Sequence, residues 1–375
     1  MKLIALLLMV FSVSAVLYSQ GPTNKVFNLL IGTYSNPGQS ETIHVYSFNI
    51  ETGEAFKKAS IGDIVSPSFL TISKDRKFAY AVSEAGDGTV HAFSFNAKTG
   101  ELVFLNKASA GGDGPCYLSV DEKNRFVFVG NYGGGSLSAI PINPDGSLNA
   151  NIQTIVHEGK SIKPNQDKPH VHATVLSPDE KYLMVPDLGT DKIKIYRIDY
   201  SSNKPLSPTE PAFANIATGG GPRHFTFHPN GKWAYVIHEN TGDMTGFTYT
   251  EGKLKVLQTV SMSSPTFTGN VHASDIHVSP DGEFLYGSMR GDINALGIYS
   301  IDKKGKLKFV ARQSTLGKIP RNFVIDPTGS FLLVGNQNSD EIVIFKRDPN
   351  TGLLADTGKR ISVGKPVCLK LVAVD

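Results

Sequence analysis

Four short segments of this 375-residue chain concentrate the side chains able to do chemistry: "KPHVHATVL", "GGGPRHFTF", "ASDIHVSP" and "IPRNFVID". They carry His170, His172, Arg223, His224, Asp275, His277, Arg321 and Asn322. A second set, Asp187, Glu239, Arg290 and Asn336, trails each segment by about fifteen residues. A guanidinium fork suits a carbonyl, carboxylate or phosphate oxygen. An imidazole or a carboxylate can take a proton from water. An Asp beside a His can orient the ring. Converging on one place, these groups would form a polar pocket for a small molecule. Each has a structural alternative. Arg223 could make an inter-blade ion pair, and His224 and Asp275 could bond across blades without any ligand. His228 in "FHPNGK" shares the turn column of Ser73 and Asp326, so it is expected to cap a turn.

Convergence requires a repeat, and the sequence has one. "SPSFLTIS", "GPCYLSVD", "HVHATVLSP", "GPRHFTFHP", "ASDIHVSP", "IPRNFVIDP" and "KPVCLKLV" align on one column: Ser68, Cys116, His172, Arg223, Ser274, Arg321 and Val367. The intervals are 48, 56, 51, 51, 47 and 46 residues. Each segment leads through a turn such as "PDGEF" or "DPTGSF" to a second strand, then a third that alternates apolar and polar residues, then a short fourth. Short strands at a period near 50 predict an all-β, seven-bladed β-propeller of four-stranded antiparallel blades. "NLLIGTYS" matches the second-strand column but lacks a first strand, and "KPVCLKLVA" is a first strand with nothing after it. The two ends should therefore share one blade and close the ring. First-strand starts and second-strand ends then meet at the same face, around the central channel. The stretch 157–170, at the largest interval, is either a surface insertion or a pocket wall.

Composition narrows the partners. Lys plus Arg number 37 against 34 Asp plus Glu, so the net charge is only +3. That argues against a nucleic-acid surface. Residues 1–19 read as a signal peptide, one basic residue and then an apolar run, with the propeller domain at 25–375. The mature chain is expected to be periplasmic or secreted, monomeric and without stable membrane insertion. Cys116 and Cys368 are expected as two buried thiols rather than a disulfide. No HExxH, EF-hand, P-loop or Gly-x-Ser-x-Gly pattern occurs, so neither a metal nor another cofactor is expected.

The ordered set "LLIGTYS", "VGNYGGGSLS", "PHVHA", "VPDLGTD", "GGGPRHFTFHPNG", "DIHVSPDG" and "PRNFVIDPTG" resembles the seven-bladed propeller lactonases, which include 6-phosphogluconolactonases. The resemblance runs through the whole mature chain. It implies hydrolysis of a small-molecule sugar lactone by water. It implies catalytic roles for Arg223, His172, Glu239, His224 and Asp275. It implies substrate binding by Arg321, His277 and Asp187, and their strand-start and strand-end positions add His170 and Asn336 as substrate-binding candidates. In that picture Arg223 would stabilise the developing oxyanion. His172, His224 or Glu239 would take the proton from water. Asp275 would orient a ring, and Arg321 would hold an anionic substituent. "HENTGD" at 238–243 departs from the family pattern beyond Glu239 and leaves substrate detail open. Muconate-type lactone cyclisation, a metal-dependent lyase or oxidoreductase, and a non-catalytic binding propeller are the alternatives.

Overall fold

The computed structural model describes residues 25–85, 88–264 and 266–374. The expected signal segment, 1–19, lies outside the described residues. The described chain forms seven four-stranded antiparallel sheets. In the closing blade the C-terminal strand Pro366–Ala373 pairs with the N-terminal strand Val26–Thr33, running from Phe27↔Ala373 to Thr33↔Pro366. The complementary half-blades predicted from the sequence are therefore one sheet.

Burial explains why the second strands read as unbroken apolar runs. Phe126–Asn131, Tyr182–Asp187 and Phe331–Asn336 are buried at every position, because a neighbouring blade covers each face. Outermost strands such as Leu102–Ser109 are mostly exposed or half-buried. Three blades are latched to the next in the same way. The hydroxyls of Tyr80, Tyr235 and Tyr286 donate to the carbonyls of Gly146, Gly305 and Gly352 at 3.0, 3.0 and 2.7 Å. At Gly305 φ is +79°, and a Cβ would lie 2.6 Å from the Trp233 ring, so only glycine fits that turn.

The column found in the sequence has a backbone cause. In five blades the first strand carries a β-bulge at its start. Pro222 pairs with His238 and Phe225 with Val236, so Arg223 and His224 together oppose one residue. The same break lies between Pro115 and Tyr117, between Ala273 and Ile276, between Pro320 and Asn322, and between Pro366 and Cys368. A bulge interrupts the strict alternation of faces and re-aims side chains. Consecutive residues such as Arg223 and His224, or Ser274 and Asp275, can then both serve the channel.

Candidate active site

Arg223 and Arg321 start their strands at the mouth of the channel that we call upper, and Glu84, Glu239 and Arg290 reach it from second-strand ends. Arg223 is 1% exposed and fully engaged on one side. Its Nε donates to Glu239 Oε2 at 2.8 Å, and its Nη1 donates to the Ser274 carbonyl at 2.7 Å and to His224 Nε2 at 3.1 Å. Arg290 Nη2 approaches the same Glu239 oxygen at 3.0 Å. Burial opposes the Glu239 charge, but Arg290, Arg223 and Arg321 outweigh it and hold this carboxyl below its usual range. Burial, eased by Glu239, brings the Arg290 guanidinium down to about 10.

Arg321 differs from the other two guanidiniums. It stands over the Tyr34 ring at 4.9 Å, and its nearest carboxylate, Glu84, is 4.0 Å away. No hydrogen bond from its side chain is present among the described residues. Glu84 instead accepts from the Tyr34 hydroxyl at 3.1 Å. Arg321 thus has its donor fork free at the mouth, while Arg223 and Arg290 are held by protein partners.

Below this cluster the channel is partitioned. His224 Nδ1 lies 2.8 Å from Asp275 Oδ1, and His277 Nε2 lies 2.9 Å from Asp275 Oδ2. Asp275 also accepts from Asn322 Nδ2 and from the backbone N–H groups of Ile276 and Phe323. Burial opposes its charge, yet His277 and His224 hold its carboxyl well below the carboxylate range. An arginine donates to His224 Nε2, so that nitrogen accepts and Nδ1–H donates to Asp275. Burial and Arg223 push the His224 pKa down to about 4, which agrees with a neutral ring. His224 therefore has no free lone pair for a substrate.

His172 is placed differently. Its ring packs edge-on to His224 and Tyr132, with centroids 5.4 and 5.3 Å apart. Its Nδ1 is 3.7 Å from Cys116 Sγ. Burial and the nearby Arg223 hold its pKa well below 6.5. Burial raises the Cys116 thiol, so it stays protonated and can donate to the Val171 carbonyl at 3.6 Å. A sulfur lone pair then receives His172 Nδ1–H, and Nε2, with no protein partner among the described residues, keeps its lone pair. Burial also pushes the Tyr132 phenol up to about 12, leaving it a neutral neighbour.

The remaining sequence-predicted residues divide. Asp187 is fully buried. It accepts from the backbone N–H of His170 at 2.8 Å and bonds His157 Nδ1 at 2.8 Å. His170 stacks on Tyr132 at 4.4 Å and bonds its carbonyl at 2.9 Å. Both fix the 157–170 stretch, which also bonds Gly133 and Asn240 and so walls the upper rim. Asn336 is buried and donates to the Thr315 carbonyl at 3.0 Å, pinning a rim loop. These positions hold the site rather than face its opening. His277 lies beyond the partition, toward the opposite mouth. His228 caps its turn as expected, accepting from Asn230 N–H at 3.0 Å and bonding the Gly282 carbonyl at 2.9 Å. The two cysteines are free and buried.

Four mouth residues had been given no role from the sequence: Arg290, Glu84, Tyr34 and Tyr132. All occupy the second-strand ends, so that column carried the signal. Their ion pairs cross between blades and have no sequence spacing of their own. Among the described residues, no group of three His, Cys, Asp or Glu side chains is arranged to hold a metal ion.

Comparison with known proteins agrees with this architecture. The family model described as "Lactonase, 7-bladed beta-propeller" matches residues 28–371. A 6-phosphogluconolactonase of Bacillus subtilis is 35% identical, over 91% of this chain and 97% of that protein. One from Formosa agariphila is also 35% identical, over 92% and 99%. The structure of a periplasmic gluconolactonase from Pseudomonas aeruginosa superposes with a TM-score of 0.89 at 37% identity, covering 93% of this chain and all 100% of that one.

Proposed function

This chain belongs to the seven-bladed β-propeller lactonase family, and we propose that the upper mouth of its channel is where it opens a sugar lactone with water. The protein is a carboxylic ester hydrolase of the lactonase type. The observation that carries the site assignment is one guanidinium without a side-chain hydrogen bond among the described residues, Arg321, beside one neutral imidazole nitrogen without a partner among them, His172 Nε2.

His172 Nε2 takes a proton from water as the water oxygen bonds to the lactone carbonyl carbon. The carbonyl electron pair moves to oxygen, and the oxyanion meets Arg321 and the outward amino group of Arg223. Collapse restores the carbonyl and breaks the ring ester bond. The departing alkoxide takes the proton from His172, giving the open hydroxy acid. Glu239 holds Arg223 and Arg290 in place. It is a poor base because those arginines share its Oε2. Asp275 holds His224 in the tautomer that accepts from Arg223.

Charge favours a lactone without phosphate. Arg223, Arg290 and Arg321 face Glu84 and Glu239, an excess of one positive charge. That excess matches a neutral ester gaining one negative charge in its transition state. A phosphate dianion would overturn the balance. An aldonolactone also suits an exported, monomeric enzyme, the location read from residues 1–19. The test is hydrolysis of δ-gluconolactone and 6-phosphogluconolactone side by side, corrected for spontaneous opening. Faster turnover of the unphosphorylated lactone, lost in Arg321→Ala and His172→Ala, is expected. Turnover equal to background on both lactones would defeat the reading.

A further inference from the structure

The channel has a second chamber on the far side of the His224–Asp275 partition. It encloses about 310 Å³ and opens where first strands run into their turns, at Leu176, Phe227 and His277. Phe227 is four residues beyond Arg223, roughly 13 Å along a strand. This chamber is therefore distinct from the arginine mouth.

Its lining has an uneven chemistry. Phe69 and Tyr117 stack at 3.9 Å and form one wall. Lys370 Nζ stands over the Phe69 ring at 4.4 Å. Among the described residues Lys370 has no carboxylate partner. The one acid in the wall, Asp275, is 2% exposed and already bonded to His224, His277 and Asn322. Among the described residues the Tyr117 hydroxyl makes no hydrogen bond, and neither does His277 Nδ1, whose Nε2 is the nitrogen held by Asp275. Three unpaired donors or acceptors thus share a half-closed chamber with an aromatic wall. The volume lies at the low end for small-ligand pockets, roughly 300 Å³ and upward. A sugar would find few partners there. A flat apolar ring would pack against the Phe69–Tyr117 pair, and a single carboxylate would meet Lys370 and the Tyr117 hydroxyl.

We propose that this lower chamber is a binding site for a small aryl carboxylate, separate from the lactone site. The proposal is independent of the lactone reading, because its test reads binding alone. Benzoate is titrated calorimetrically into the wild-type protein, Lys370→Met, Tyr117→Phe and Arg321→Ala, with benzamide and acetate as neutral and ring-free probes. One saturable benzoate site is expected, with a Kd of about 1 mM or tighter. It should weaken at least about tenfold in Lys370→Met. It should weaken a few-fold in Tyr117→Phe and persist in Arg321→Ala. Benzamide and acetate should bind at least about tenfold more weakly. Unchanged thermal unfolding of Lys370→Met would show that its loss of binding is local. Three results would each overturn the proposal. One is no saturation by about 10 mM benzoate. Another is binding kept in Lys370→Met but lost in Arg321→Ala. The third is acetate binding as well as benzoate.

Discussion

The two mouths of this channel are lined from the same strands, yet their chemistry is opposite. The upper mouth has three guanidiniums and two carboxylates, mostly paired across blades. The lower chamber has one unpaired ammonium, an aromatic wall and one acid sealed into the partition. Strand direction creates the difference. Upper positions are bulged strand starts and strand ends, where irregular backbone admits long charged side chains at successive residues. Lower positions combine the residue after each strand-start column position, such as Tyr117, His224 and Asp275, which the bulge aims away from the upper mouth, with residues further along the first strands, such as Phe227 and Lys370. Pairing tells what each charge is for. Arg223, bonded on one side to Glu239, Ser274 and His224, is structural as much as functional, whereas Arg321, 4.0 Å from Glu84, makes no side-chain hydrogen bond among the described residues.

The largest test separates those two arginines. Arg223→Ala removes one of the two guanidinium partners of the half-buried Glu239, leaving Arg290, and should cost about 1.5–3 kcal/mol of stability, as well as turnover. Arg321→Ala should lower kcat by about 10²–10³-fold with an unchanged unfolding midpoint. Chemical denaturation and lactone kinetics on both variants check this. Equal destabilisation by the two would erase the distinction between anchor and free donor.

The base comes next. His172→Ala should lower kcat by about 10²–10⁴-fold. Because burial and Arg223 hold His172 well below 6.5, the ring is already neutral at pH 6.5. The pH profile of kcat/KM should therefore show no inflection near that pH. A fall centred near 6.5 would rule His172 out as the base.

How much of this was legible in advance follows from the period of the repeat. The seven blades, the shared closing blade and the column of strand starts were readable, because each blade must repeat the same turn and the same strand start. Arg223 and His172 stood out since charged residues at that column break an otherwise apolar rhythm. Asp187 and Asn336 looked identical in type to site residues, and only their hydrogen bonds show them tying down loops. The Glu84–Arg321 and Glu239–Arg290 pairs join different blades, 237 and 51 residues apart. No local pattern encodes such contacts. The lower chamber was missed because its members, Phe69, Tyr117 and Lys370, read as ordinary strand residues.

The partition between the mouths predicts an acid sensitivity. His224 has a folded pKa of about 4 against an ordinary value of 6.5. The unfolded chain therefore binds the extra proton first as pH falls. Stability should be full above about 6.5 and decline between there and about 4. For this one ring the loss is of order 3 kcal/mol. Asp275 and Glu239, both held low, act in the same direction at still lower pH. Denaturant midpoints measured across this range for wild type and His224→Gln check the sign. If the variant declines as steeply as wild type, His224 is not the group that senses acid, and His238, with a folded pKa also near 4, is the next to replace.

The finest comparison uses one tyrosine from each mouth. Tyr34 donates to Glu84 at 3.1 Å, whereas the Tyr117 hydroxyl has no hydrogen-bond partner among the described residues. Removing a hydroxyl that bonds a carboxylate leaves that charge less satisfied, so Tyr34→Phe should cost about 1 kcal/mol, discounted from the buried case by partial exposure. Removing one that bonds nothing should change stability by less than about 0.5 kcal/mol. Paired urea titrations resolve the difference. A Tyr117→Phe cost equal to that of Tyr34→Phe would mean that the lower hydroxyl is already engaged in the free protein. The lower chamber would then be a packed part of the fold rather than a place prepared for a ligand, and the contrast between the two mouths would reduce to charge alone.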